Sequence, residues 1–238
     1  MGFASNEMEQ QRRYYTETAH LYDSMHLNRK DEHFFALSFL IASLEYLGIS
    51  SVLDIGSGTG RALRYIKMNR PDLILRGVEP VEELRKIGYE KGLSEDELIF
   101  GDAMNLHFGK EKFDLVCEFG MLHHVKRPEQ VVAEMLRVAK KAIFISDCNN
   151  FGQGPVAIRT IKQLIDRLGL WKIADFIKTR GKGYSISEGD GVAYSYSVFN
   201  NYEQIKKSCK QIHMLNTKNA GVDLYKTASH IALLCIKS

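Results

Sequence analysis

The chain has 238 residues, 45% of them hydrophobic and 26% charged, enough apolar material for one substantial globular core. Its 32 basic and 29 acidic residues leave a formal charge of +3, too slight to draw it toward nucleic acid or an anionic membrane, and neither is expected as a partner. Cys117, Cys148, Cys209 and Cys235 lie too far apart for a zinc or dithiol spacing and read as buried thiols of a reducing cytoplasm.

In chain order, the first twenty residues lack the apolar stretch of a signal peptide and no later segment reaches transmembrane length, so a cytoplasmic protein is expected. Residues 33–47 (HFFALSFLIASLEYL) read as a mostly buried helix with Gly48 as its C-cap. SVLDI at 51–55 reads as a strand that runs into a glycine cluster, and Arg61 to Asn69 as a helix ended by Pro71. The alternation repeats through strand 73–80, helix 81–91, strands 97–103 and 112–119, a helix at 129–140 opened by Pro128 and Glu129, and strand 142–148. Strands alternating with helices imply right-handed crossovers and a mainly parallel sheet.

Beyond Cys148 the alternation stops. Two helical stretches (156–168 and 171–179) and the glycine-spaced GKGYSISEGDG follow, so 149–201 reads as an inserted cap. Residues 192–199 (VAYSYSVF) alternate like a strand and 202–210 suit a helix. QIHMLNT and HIALLCIK then suit a closing antiparallel hairpin.

DIGSGTG, Asp54 to Gly60, is the most informative segment. Glycines at alternate positions between a strand and a helix let the backbone approach a ligand closely, although a turn with no ligand uses glycine for the same conformational reason. A dinucleotide fingerprint places its third glycine one residue later, and an acid before the first would repel a pyrophosphate. The same carboxylate suits a ligand that carries an ammonium group. Glu79 ends the second strand, where its two oxygens can take both hydroxyls of a ribose, and Asp102 follows the third strand, where it can read an adenine edge.

In order, DIGSGTG, Glu79, GDAMNL and FDLVCEFGMLHHV resemble the motifs of class I methyltransferases, in particular the small-molecule "type 11" group, over roughly residues 50–148. The resemblance implies a single Rossmann-like domain over 1–238, a seven-stranded mainly parallel sheet in the order 3-2-1-4-5-7-6, helices on both faces, and the cap between strands five and six. It implies S-adenosylmethionine as cofactor, with its methionine portion near Asp54, Gly56, Ser57, Gly58 and Gly60, its ribose on Glu79 and Pro80, and its adenine by Asp102, Ala103 and Met104; Glu118 is counted with these. Residues 1–32, with Tyr14, Tyr15 and Tyr22, resemble the N-terminal lid of such enzymes, although core packing would use the same aromatics.

Methyl transfer from a sulfonium is an in-line displacement, so the protein must chiefly align the acceptor and exclude water. A hydroxyl acceptor gains from a general base, and His123 and His124 stand just beyond the fourth strand; at most one is expected to face the substrate, the other steadying the loop. No metal is expected, because a third ligand is not evident. Glu118-Phe119-Gly120-Met121 departs from the Asn/Asp-Pro-Pro-aromatic signature of exocyclic and amide nitrogen methylases, which leaves a hydroxyl, carbon or simple amine of a metabolite. Asn149, Asn150, Tyr184, Tyr194 and Tyr196 of the cap suit a sugar-like acceptor, or equally a packed strand. A homodimer is allowed. An NAD(P)-dependent oxidoreductase and a non-catalytic methyltransferase-like subunit are the rival readings.

Overall fold

A computed structural model describes residues 4–26, 30–218 and 221–238, so parts of the expected lid at 1–3 and 27–29 lie outside the described residues. The chain opens with helices α1 (Ala4–Thr18), α2 (Tyr22–His26) and α3 (Glu32–Leu44). Asp31 caps α3 by accepting from the Phe34 amide, and Ala36, Leu37, Leu40 and Leu44 form its buried face.

Strands and helices then alternate: β1 (Ser51–Ile55), α4 (Arg61–Asn69), β2 (Ile74–Val78), α5 (Glu82–Glu90), β3 (Leu98–Ile99), β4 (Phe113–Phe119), α6 (Pro128–Val138) and β5 (Ala139–Cys148). β5 starts directly after α6, three residues ahead of the expected position, because Ala139 already pairs with Phe113. Residues 100–103 leave the sheet after Ile99, so β3 is only two residues long. β1, β2, β3, β4 and β5 pair in parallel, and two apolar clusters, one on each face, bury the sheet as crossover helices require.

The remaining elements are α7 (Val156–Arg167), α8 (Trp171–Lys178), β6 (Ser185–Ser187), β7 (Gly191–Ala193), α9 (Tyr202–Lys206), β8 (Cys209–Lys218), α10 (Leu224–Thr227) and β9 (His230–Lys237). β9 runs antiparallel between β5 and β8, which gives the seven-stranded order β3-β2-β1-β4-β5-β9-β8; β6 and β7 form a separate two-stranded ribbon between α8 and α9. The expected fold is therefore the one observed. The expected strand at 192–199 shrinks to Gly191–Ala193, since the Tyr194 amide turns to the His123 carbonyl and Tyr196 is drawn into the core beside Cys148. Among the described residues no helix is long and apolar enough to cross a membrane.

Candidate cofactor cleft

The cleft opens at the carboxyl ends of β1, β2, β3 and β4, the end at which open parallel sheets bind ligands. Gly56 begins it, with φ at +66°, and its amide and that of Ser57 both donate to the Val78 carbonyl, which locks the loop to β2. That left-handed turn needs glycine, and a Cβ here would come within 2.5 Å of the Met121 side chain. Gly60 caps α4 in the same left-handed region.

Two adjoining cavities share Tyr15, Tyr22, Gly56, Phe119, Gly120 and His124. The larger is further lined by Glu79, Pro80, Asp102, Ala103 and Met104, with Gln11 and Arg12 of α1 over it. The smaller is lined by Asp54, Ser57, His33, Arg61, His123 and Asp190. Glu79 is buried, and its carboxylate accepts from the Gly58 and Val81 amides, each at 2.9 Å. Burial pushes its pKa up, and those amides pull against the rise. Asp54 is also buried, and desolvation raises its pKa to about 7. Asp102 accepts from the Met104 amide at 2.9 Å and pairs with Arg12 at 3.3 Å.

The histidines depart from expectation. They sit on a 3-10 turn, Leu122–His124, rather than on a strand or an α-helix, so their rings lie side by side with centroids 4.0 Å apart and both reach the smaller cavity. His123 Nδ1 lies 2.7 Å from the fully buried Asp147, and its Nε2 lies 3.4 Å from Asp190. Burial disfavours its charge, but Asp147 and Asp190 outweigh that and raise its pKa to about 10. The same contact holds Asp147 down to about 2 against its own burial. Burial would raise Asp190, but its hydrogen bonds to His123 and His124 drive its pKa well below the usual carboxylate range.

His124 Nδ1 lies 2.6 Å from the Val192 carbonyl and 3.1 Å from Gln11 Nε2, and its Nε2 lies 3.2 Å from the Tyr15 hydroxyl and 3.3 Å from Asp190. Asp190 thus supplies the third group that the sequence did not show, and the three side chains lie close enough to hold a cation. The charge is equally met by a protonated His123 held between two carboxylates.

Several expected site residues lie outside both cavities. Gly58 is covered by Tyr22, whose hydroxyl would stand 2.5 Å from a Cβ there, and Gly60 faces Leu93. Glu118 is fully buried, its oxygens taken up by the Met121 and Ser146 amides. Tyr14 donates to the Glu188 carbonyl. Asn149 holds the carbonyls of Leu224, Tyr225 and Ala228. Asn150 lines neither cavity; its carbonyl accepts from Lys162. Tyr196 is buried and donates to Asn201, Tyr194 reaches Glu7 at 3.5 Å, and Tyr184 packs beside Tyr194. The cleft gains Gln11, Arg12, His33, Arg61 and Asp190, which come from remote parts of the chain.

Residues 53–145 match the model of a family described as methyltransferase domain. Over that segment the chain is similar to methyltransferase domains. Among curated relatives, it is 36% identical over 91 residues to a demethylmenaquinone methyltransferase of Thermotoga maritima, a match covering 38% of this chain and 39% of that protein. It is 31% identical over 124 residues to a phosphatidylethanolamine N-methyltransferase of Cereibacter sphaeroides, covering 44% and 54%. The chain therefore spans about half or less of the length of these relatives. Among solved structures, the magnesium protoporphyrin IX methyltransferase of Synechocystis with bound S-adenosylhomocysteine shares this fold at a TM-score of 0.64 and 16% identity, with 98% of this chain and all of that one covered.

Proposed function

We propose that the protein moves a methyl group from S-adenosylmethionine to a hydroxyl of a small-molecule acceptor. One observation carries this reading. Asp54, Glu79 and Asp102, from three neighbouring strand ends, line one cleft in the order that an ammonium group, a ribose diol and an adenine edge would need. The residues present fit the cofactor: Gly56 lines both cavities without a side chain to intrude on either, and both oxygens of Glu79 keep a further lone pair for a hydroxyl.

When bound, the cofactor supplies an electrophilic methyl group on a sulfonium sulfur. The chain does the rest. Tyr15 and Tyr22 roof both cavities and keep water from the junction between them. His124 Nε2, aimed at that junction by the Val192 carbonyl, accepts the proton of the hydroxyl, and Asp190 at 3.3 Å steadies the imidazolium that forms. Asp147 holds His123, and with it the turn, in place.

The expected sugar contacts of the cap are engaged elsewhere, so a sugar is no longer favoured among hydroxyl compounds. Phe119, Met121 and Val125 beside His124 suit an acceptor with an apolar body. α1 and β7 close over the histidines, which favours a small acceptor over a nucleic acid. The test is transfer of label from methyl-labelled S-adenosylmethionine to a panel of phenols, alcohols, sugars and amines. Labelled ethers are expected; label confined to amines or carbon, or none at all, would overturn the hydroxyl assignment.

A further inference from the structure

Helices α7 and α8 bury none of their side chains, and α7 is mounted in reverse. Its polar residues face the body: Lys162 donates to the Asn150 carbonyl, Gln163 to those of Phe151 and Lys226, and Asp166 accepts from the Tyr225 hydroxyl at 2.6 Å. Its apolar residues Ile158, Ile161, Leu164 and Leu168, spaced by three and four, point outward. Ile173, Phe176 and Ile177 of the adjacent α8 do the same, and all seven side chains are between 50 and 70% exposed. An ordinary surface helix has the opposite arrangement, and an apolar face of this extent marks a docking surface.

Charge decides what docks. Residues 156–182 hold seven basic and two acidic side chains, and every exposed charge among them, Arg167, Lys172, Lys178, Arg180 and Lys182, is basic. Two copies meeting through this face would bring cationic rims together, whereas large apolar residues flanked by lysine and arginine are the chemistry of helices that lie in an anionic lipid interface. The overall +3 conceals this local excess.

We propose that α7 and α8 form a peripheral docking face for an anionic phospholipid bilayer. α7 hangs from residues 150–152, just past the carboxyl end of β5, so docking turns the cleft end of the sheet toward the bilayer. The proposal goes beyond methyl transfer and stands without it.

The test is co-sedimentation of the full chain with vesicles of pure phosphatidylcholine and with vesicles holding about 30 mol% phosphatidylglycerol. Binding roughly tenfold stronger to the anionic vesicles, weakened by salt, is expected. Ile161→Asp combined with Phe176→Asp should abolish binding with an unchanged melting temperature, since both positions are exposed. Lys172→Glu with Lys182→Glu should remove the preference for phosphatidylglycerol. Failure to pellet with either vesicle would overturn the proposal, as would a dimer in solution that the aspartate variant dissociates.

Discussion

At the scale of single residues, the cleft is built on buried carboxylates that the fold makes costly. Asp54, with a pKa raised to about 7, holds its proton in the folded chain over a range where the unfolded chain has released it. The associated stability is fully present below about pH 4 and is lost as pH rises through 7. Asp54→Asn should therefore gain stability relative to the parent between pH 5 and about 8 and show none of that decline, as read from urea midpoints. Glu79→Gln keeps one acceptor oxygen for two amides; it should weaken S-adenosylhomocysteine roughly 10- to 100-fold, as about 1.5–3 kcal/mol of charged hydrogen bonding would imply. His124→Gln should lower kcat by about 10²–10⁴ while leaving cofactor affinity in place, and an equal loss of both would make His124 a structural residue. Of the expected cofactor residues, Gly56, Glu79 and Asp102 line the cleft, and local backbone demands and strand ends mark their positions in the sequence. Asp190 was not legible there, although it stands in the glycine-spaced GKGYSISEGDG, because its partners His123 and His124 lie more than sixty residues away.

Among the elements, the helix after the glycine loop runs from Arg61 to Asn69 as its pattern and Pro71 predict; alternation gives a mainly parallel sheet, and the strand order comes from the family resemblance. Alternation misled at 192–199. Period-two patterning signals a strand only where a neighbouring strand completes the ladder, and here only Gly191–Ala193 find one, in β6. The covering of the cleft by α1 was likewise only partly visible: the aromatic run suggested a lid, but its fastening rests on Gln11, which accepts from the Val192 amide and donates to the Asp190 carbonyl. Gln11→Ala would leave the buried Val192 amide unpaired, at about 1–3 kcal/mol. Hydrogen exchange at Val192 should accelerate by about tenfold or more, and unchanged protection would show that α1 is fastened elsewhere.

On the scale of the whole molecule, a nearly neutral average hides two unlike surfaces, a cleft where the strand ends bring Asp54, Glu79 and Asp102 together and the segment 156–182, whose exposed charges are all basic. Composition excludes a strong global field, but it cannot reveal segregation of this kind, which depends on how α7 is turned. Both surfaces belong to one end of the sheet, and the function rests on what that end binds. The most direct measurement is titration calorimetry of the full chain with S-adenosylhomocysteine and, separately, with NADH. One equivalent of the sulfur compound, bound at about micromolar strength and weakened in Glu79→Gln, is the predicted result. Binding of NADH with no heat from S-adenosylhomocysteine would contradict it.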